Sequence, residues 1–533
     1  MTAYDRTAGA VTAQDLWSVV LGHTQRHPDR VVLDFDGTTS TWQELVDAAE
    51  HCAAGLAAAG IERGDIVCHL SPNDAEVVVT TLALIRLGAV ECPVNAGLRG
   101  SQLAHVLRHS GATALVVDGA LTDRLHGVLG EAPAVRLVVR RGDGDVPAGP
   151  RVLSYDEVRV GATSAPPYVA PRLADPLCIV YTSGTTGPAK GAVLPQGFPI
   201  EQAKIKMEAW SLGPDDVLFS TLPLYHVNAR FSTLATALVS GSRAAIQPGF
   251  SAGSFWDAVR RSGATEIGTV GAISSILLLQ PESPRDRDHE VRMMHGAAGI
   301  PVSRRQEFED RFGLRLVTGF AMTETGHFST TTPDDPRRFM ASGRPVPQFE
   351  VAIVDDDDRP VEPGGVGELV VRPRRPNAMM SGYHNDAAAT LAAFRNLWFH
   401  TGDLARFDDE GYLHWMDRRK DAIRRRGEMI SSTEVEAVVL EHPAVAECAA
   451  IGVPSELGEE DVKLVVAARA GQSIDPHELA AYCSGRLPDF AAPRYVQIVA
   501  ELPKGATHKV DKVKLRAPDA ADGTVEVTAG RAR

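Results

Sequence analysis

The chain has 533 residues, is 44% hydrophobic and carries a formal net charge of −14. That length exceeds one ordinary domain and implies at least two. The acidic balance excludes nonspecific binding along a nucleic-acid backbone, which it would repel, and leaves room for a local site for a small anion.

The N-terminal stretch "MTAYDRTAGAVTAQDLW" has no basic segment followed by an apolar one, so it does not read as a signal peptide. No apolar run approaches the roughly 20 residues of a membrane helix. The six cysteines (Cys52, Cys68, Cys92, Cys178, Cys448 and Cys483) form no Cys-x-x-Cys pair. They read as free thiols in a reducing, cytoplasmic setting, not as a disulfide or zinc framework.

Along the chain, "TWQELVDAAEHCAAGLAAAG" has apolar residues at helical spacing and stops on Gly60. "DIVCHL" reads as a buried strand, "AEVVVTTLALIRLGA" as a second helix and "ATALVVDG" as another strand. This alternation predicts an α/β fold with a parallel sheet covered by helices, and it continues through "CIVYTS", "SRAAIQP" and "TEIGTV". Residues 138 to 172 are rich in glycine and proline and read as a long surface excursion. From about residue 347, "FEVAIVDDDDRPVEPGGVGELVVRP" has the texture of a β-hairpin, predicting a β-rich subdomain. After the basic "GYLHWMDRRKDAIRRRGEMI" comes a compact α+β tail, so the boundary is expected at Lys420, giving domains 1–419 and 420–533. Residues 517 to 533 read as loose, and no internal repeat is evident.

"YTSGTTGPAKGA" (181–192) crowds small and hydroxylated residues after an apolar strand. Such a loop exposes backbone N–H groups and hydroxyls to phosphate oxygens, and Lys190 adds charge. The spacing is not that of a P-loop, because two residues separate Gly187 from Lys190 and Gly191 follows the lysine.

Two other patterns compete. "GFSAG" (249–253) matches the Gly-x-Ser-x-Gly nucleophile elbow, which would make Ser251 the nucleophile of a serine hydrolase. Gln247 and Pro248 interrupt the strand there, and a helix cap by Ser251 or Ser254 is the favoured reading. "HEVRMMH" (289–295) departs from the zinc-binding His-Glu-x-x-His spacing.

"YTSGTTGPAKGA", "TGFAMTETG", "GELVVRP", "WFHTGDLARFDDEGYLHWMDRRKDAIRRRGEMI" and "LPKGATHKVDKVKLR" occur in this order and together resemble the adenylate-forming superfamily, above all bacterial acyl-CoA and aryl-CoA synthetases. The resemblance implies a large N-terminal domain of parallel and mixed sheets and a small, mobile α+β C-terminal lid. It implies attack of a carboxylate on the α-phosphate of Mg2+–ATP, release of pyrophosphate, and transfer of the acyl group to a thiol, usually that of coenzyme A. Two mutually repelling anions must meet, so the site has to neutralise charge and hold the attack in line.

By the same resemblance, Thr182, Ser183, Gly184, Thr185, Thr186, Gly187 and Lys190 cradle the ATP phosphates. Thr323 contacts the α-phosphate and Glu324 is the magnesium ligand. Gly296, Ala297, Ala298, Gly319 and Phe320 form the adenine slot, with Phe320 where the family usually has tyrosine. Asp403 and Arg418 hold the ribose. Lys420 is the hinge, and Lys509 is the catalytic lysine that bridges carboxylate and α-phosphate. The sequence departs from the family pattern at Pro188–Ala189, at Ser432 and at His508. Arg425 and Arg426 are expected to be solvated or near the coenzyme A phosphates.

His226, in "LPLYHVNARFSTL", matches the histidine between the acyl pocket and the thiol route. Arg230 lies four residues on, which puts both on one helical face. It is expected to meet a polar or anionic group in the site, with a structural salt bridge as the alternative. The remaining pocket walls (Thr269, Val270, Gly271, Ala272, Ala297, Ala298, Ala321 and Met322) are small and apolar and suit a flat aryl or medium acyl group. The expected partner is a small carboxylic acid, handled by a monomer or homodimer with no membrane span. The alternative is an adenylating enzyme of specialised metabolism that passes the activated group to an amine, a carrier protein or another nucleophile, nitrite- or diazo-type chemistry included.

Overall fold

The computed structural model describes residues 15–160, 164–182, 188–296, 300, 302–336, 339–418, 421–425, 428–455, 460–484, 486–504, 510–517 and 522–527. The chain forms two compact units: residues 1–350 with 372–395, and residues 351–371 with 396–533. The architecture is mixed α/β, with a large N-terminal and a smaller C-terminal part.

Among the described residues the larger unit carries two large sheets and a small one. The first runs in the order Gly382–Tyr383, Lys190–Pro195, Pro176–Thr182, Val90–Pro93, Ile66–Leu70, Ala114–Asp118, Leu137–Arg141 and Arg151–Ser154. Its central strands pair in parallel and read as unbroken apolar runs because helices cover both faces. Cys68, Leu70, Leu115 and Val117 face one core, and Val67, Ala114 and Val116 the other. The second sheet has the order Arg315–Val317, Met293–His295, Glu266–Gly268, Val217–Ser220, Arg243–Ile246, Val31–Phe35 and Thr38–Thr41. A third, three-stranded sheet joins Gly319–Met322, Gly326–Thr330 and Arg344–Pro345.

Helix boundaries follow local chemistry. Thr41 and Glu44 form a capping box at the start of Trp42–Ala58. Gly88 ends Ala75–Leu87 in the left-handed conformation at φ 71°.

Two expectations fail. Residues 138–172 are not merely a surface excursion: Leu137–Arg141 and Arg151–Ser154 extend the first sheet by two parallel strands. The helix Tyr155–Val160 then packs on Trp42–Ala58 so closely that a Cβ on Gly55 would lie 1.6 Å from the Val158 carbonyl oxygen. The apolar runs are only three and two residues long, so the neighbouring glycines and prolines mask them. Likewise the tail is not wholly loose, because Thr524–Glu526 adds an edge strand to Tyr495–Val499.

The smaller unit holds the strands Phe349–Val354, Gly367–Pro373, Trp398–Phe407 and Leu413–Arg418 as neighbours in that order. It also holds a sheet of Val445–Pro454, Glu460–Ala468, Tyr495–Val499 and Thr524–Glu526. Both faces of that sheet are buried. Ala450, Leu464 and Val466 turn to one core with Val435 and Leu479, while Ala449, Ile451 and Val465 turn to Leu502 and Leu515.

Candidate active site

In the larger unit, the strands Pro176–Thr182 and Lys190–Pro195 form an antiparallel hairpin, pairing Tyr181 with Gly191 and Thr182 with Lys190. Its tip, Ser183, Gly184, Thr185, Thr186 and Gly187, lies outside the described residues. The Thr182 hydroxyl donates to the Lys190 carbonyl at 3.4 Å. Gly191 is needed where it stands, since a Cβ there would lie 2.7 Å from Ile179 and 3.2 Å from the Tyr181 ring.

The Lys190 ammonium sits 5.1 Å from the centroid of the Tyr383 ring, a cation–π contact. The Tyr383 hydroxyl in turn donates to Oε1 of Glu324 at 2.9 Å. Burial and then the Glu324 charge push the Tyr383 phenol up, so it stays a donor. A lysine, a tyrosine and a carboxylate thus form one chain beside the hairpin. Tyr383, in "SGYHND", was not legible as a site residue.

Glu324 is buried, Thr323 half-buried, and both follow the strand Gly319–Met322. The turn is braced from below by the buried Gln202: its Nε2 donates to the carbonyls of Thr325 and Ala378, and its Oε1 accepts from the His327 amide. Gly326 lies at φ 61°, and a Cβ there would strike the Gln202 amide. Gly319 has the same kind of constraint, since its Cβ would come 2.7 Å from the Ser329 carbonyl. Phe320 is half-buried, its ring 5.2 Å from that of Phe328.

Gly296 has φ 85°, and a Cβ would overlap the Thr269 carbonyl. Ala297 and Ala298 lie outside the described residues. Before Gly296, His295 hydrogen-bonds Glu266 through Nδ1 and Asn228 through Nε2 and stacks on Trp210 at 4.7 Å. Asn228 donates to the Thr269 carbonyl at 3.2 Å, so one amide ties together the two loop starts expected to wall the pocket. Val270 and Ala321 are exposed, Met322 is half-buried, and Gly271 begins the helix Gly271–Leu278. Beneath these walls burial pushes the Lys206 ammonium down to about 7, with Glu266 opposing.

His226 is exposed, with its ring 4.5 Å from that of Tyr225. It precedes a π-helical stretch, Asn228–Ala235, the kind of distortion often found beside functional sites. Arg230 takes the second of its two expected roles. Nη1 donates to Glu91 Oε2 at 2.6 Å and to Thr81, Nη2 to Glu91 Oε1 at 3.2 Å, and Nε to the Leu224 carbonyl at 2.8 Å. Four of its five N–H donors are thereby used inside the protein, which corrects the expected substrate contact. His69 completes the cluster on Glu91 at 3.1 Å. Glu91 sits in "AVECPV", an apolar strand whose one carboxylate was the missed signal for this partner.

The hydrolase reading finds no support. Ser251 is exposed, and Cβ atoms on Gly249 and Gly253 would meet nothing within 4 Å, so the turn lacks the close packing of a nucleophile elbow. Ser254, not Ser251, occupies the N-cap of Phe255–Ser262, and its side chain makes no capping bond. His289 stacks on Trp256 at 4.9 Å, away from the His295 cluster.

In the smaller unit, Asp403 is buried on Trp398–Phe407 and pairs in register with Arg418. The Trp415 indole donates to Asp403 Oδ1 at 3.0 Å, and the Arg418 Nε stands 3.9 Å from the same oxygen. Lys420, His508 and Lys509 lie outside the described residues. Asp417 accepts from the Ser432 amide at 2.6 Å, and Lys512 donates to the Ser432 hydroxyl. Arg425 is not solvated. It pairs with Asp461 at 2.9 Å and donates to the carbonyls of Phe490 and Ala492.

Residues 22–384 match the family described as AMP-binding enzyme, and residues 434–509 match the AMP-binding enzyme C-terminal domain. The chain therefore belongs to the AMP-binding enzyme family. It is 28% identical over 463 residues to a crotonobetaine/carnitine–CoA ligase of Salmonella choleraesuis, covering 86% of this chain and 89% of that protein. Its fold is similar to O-succinylbenzoate coenzyme A synthetase of Bacillus subtilis in complex with ATP and magnesium, with TM-score 0.82, 26% identity and coverage of 95% of this chain and 100% of the other. ATP-bound MatB from Rhodopseudomonas palustris is similar too, with TM-score 0.84, 26% identity and coverage of 94% and 98%. Among the described residues, no helix is long and apolar enough to cross a membrane.

Proposed function

We propose that this chain is an AMP-forming acid–CoA ligase: it joins a carboxylic acid to ATP as an acyl-adenylate, releases pyrophosphate, and passes the acyl group to coenzyme A. The observation that carries the reading is the Lys190–Tyr383–Glu324 chain beside the hydroxyl-rich hairpin, in a chain that matches both AMP-binding family domains.

The donor set fits ATP and Mg2+. An ammonium at Lys190 and the hydroxyls of Thr182 and Thr323 suit phosphate oxygens, and the Glu324 carboxylate suits a hard cation. Mg2+, when bound, supplies charge neutralisation between the two anions. Glu324 would hold it and Thr323 the α-phosphate, while Tyr383 fixes the carboxylate through one oxygen and covers the lysine. Phe320 and Gly296 line the adenine end. In the smaller unit, Trp415 orients Asp403 for the ribose hydroxyls and Arg418 is the second contact. Lys509 serves as the lysine of the first half-reaction and Lys420 as the hinge, with the functional boundary at 419/420. His226 gates the thiol route.

The test is a panel of aryl and medium-chain carboxylic acids given with ATP, Mg2+ and coenzyme A. A new thioester mass from at least one acid is the expected result. Pyrophosphate release without any thioester would transfer the reading to an amine or carrier-protein acceptor.

A further inference from the structure

The helix Gly100–Ser110 carries His105 and His109 one turn apart on the same face, with their rings stacked at 5.1 Å. His105 Nε2 donates to the Ala189 carbonyl at 2.9 Å. His109 Nδ1 shares a hydrogen bond of 2.8 Å with the Tyr181 hydroxyl. Tyr181 and Ala189 flank the tip of the hairpin on opposite sides. One helix face therefore grips both stems.

The helix is itself fixed against the hairpin. His384 Nε2 donates to the Ser110 carbonyl at 3.0 Å, Asn385 donates to the His109 carbonyl at 3.2 Å, and the His384 amide donates to the Gly191 carbonyl at 2.7 Å. None of these residues has a part in the reaction proposed above.

We infer that His105 and His109 are positioning residues that set the spacing of the two hairpin stems, and so the affinity for the ATP triphosphate. This rests on the reading that the hairpin holds those phosphates.

The clamp has a built-in pH dependence. His109 faces His105 on its own helix, Tyr181 on the adjacent strand, and His384 and Asp386 on the segment after Gly382–Tyr383. Behind Tyr181 lie the thiols of Cys68 and Cys92. On the hairpin, Lys190 is turned to Tyr383. Burial first, then His105 and His384, hold the His109 imidazole below its ordinary range, against Asp386. In the Nε2–H tautomer, the one the clamp requires, a neutral His109 accepts a hydrogen bond at Nδ1 from the Tyr181 hydroxyl. Protonation removes that acceptor and sets a cation beside two further imidazoles, so the grip loosens as pH falls.

The test is calorimetric binding of Mg2+–ATP to the full-length protein at about pH 8 and about pH 6. Three proteins are compared: the natural chain, His105→Gln with His109→Asn, and His105→Ala with His109→Ala. Gln and Asn offer an N–H and an acceptor near the ring positions but do not titrate. The alanine pair is expected to bind about tenfold more weakly at the higher pH. The amide pair should stay within about twofold of the natural chain there, yet lose the part of the pH slope that exceeds ATP's own titration.

Unchanged affinity in the alanine pair, or a full slope in the amide pair, overturns the inference. Lys190→Ala, run beside them, locates the failure. If it weakens binding while the histidine pairs do not, the clamp alone is wrong. If it too binds normally, the assignment of the hairpin to ATP falls, and the clamp falls with it.

Discussion

The hydroxyl of Tyr383 donates to the carboxylate of Glu324 at 2.9 Å, across 59 positions of sequence. The two residues come together because Gly382–Tyr383 pairs with Lys190–Pro195 at the edge of the first sheet, while the Met380 amide donates to the Glu324 carbonyl at 2.7 Å. Tyr383→Phe keeps the ring over Lys190 and removes only the donor. It is expected to lower kcat/KM for pyrophosphate release by about 10-fold to 100-fold, the worth of a hydrogen bond to a charged group. The loss should shrink at high Mg2+, which a titration of Mg2+ at fixed ATP would show. Tyr383→Leu should cost more, because the cation–π contact goes too.

Arg230 and Glu91 predict a stability effect without a change of substrate. Burial alone would raise the Glu91 carboxyl, but the Arg230 guanidinium and His69 outweigh it and hold it down to about 2. A carboxylate depressed in the folded state gives stability that is present above its ordinary value near 4.5 and is lost as pH falls towards the folded one. Arg230→Met strands a buried charge and should cost about 3–5 kcal/mol in urea denaturation, with acid unfolding beginning at higher pH. Removing both partners, as Arg230→Leu with Glu91→Leu, should recover much of that loss. The ranking of acids accepted should not move in any of these variants.

Lys206 works in the opposite sense. Burial lowers its ammonium to about 7, so the folded protein prefers the neutral amine. Stability then falls as pH drops from the ordinary lysine range towards 7, where the unfolded chain is charged and the folded one resists the proton. Lys206→Met should stabilise the fold and raise the thermal midpoint, more near pH 7 than near pH 10, with a ceiling of about 5 kcal/mol on the gain. Thermal melts at several pH values check both the sign and the trend.

Lys509→Ala separates the two half-reactions. On the role proposed for this lysine, in the meeting of the two anions alone, pyrophosphate release should become undetectable, while thioester formation from supplied acyl-adenylate stays within about threefold of the natural chain. Equal loss of both would remove the lysine from the first half-reaction.

The fold was readable where apolar periodicity was long. The helices Trp42–Ala58 and Ala75–Leu87 and the strand Ile66–Leu70 follow directly from spacing and glycine stops. The strands Leu137–Arg141 and Arg151–Ser154 were hidden because each is short and the glycines and prolines between them dominate any local window. The hydroxyl-rich hairpin, Glu324 and Asp403 were visible as motifs. Tyr383, Gln202 and Trp415 were not, because each matters through a partner far along the chain or across a register that only the folded sheets create. Arg230 was noticed as an arginine out of place, but its partner lies 139 residues away.

The most direct measurement is the nucleotide product. The full-length enzyme, ATP, Mg2+, coenzyme A and the acid panel are incubated together, and the adenine nucleotides and phosphates are separated by chromatography. An acid-dependent yield of AMP and pyrophosphate in equal amounts is the predicted result. Formation of ADP and phosphate, or no consumption of ATP with any acid, would contradict it.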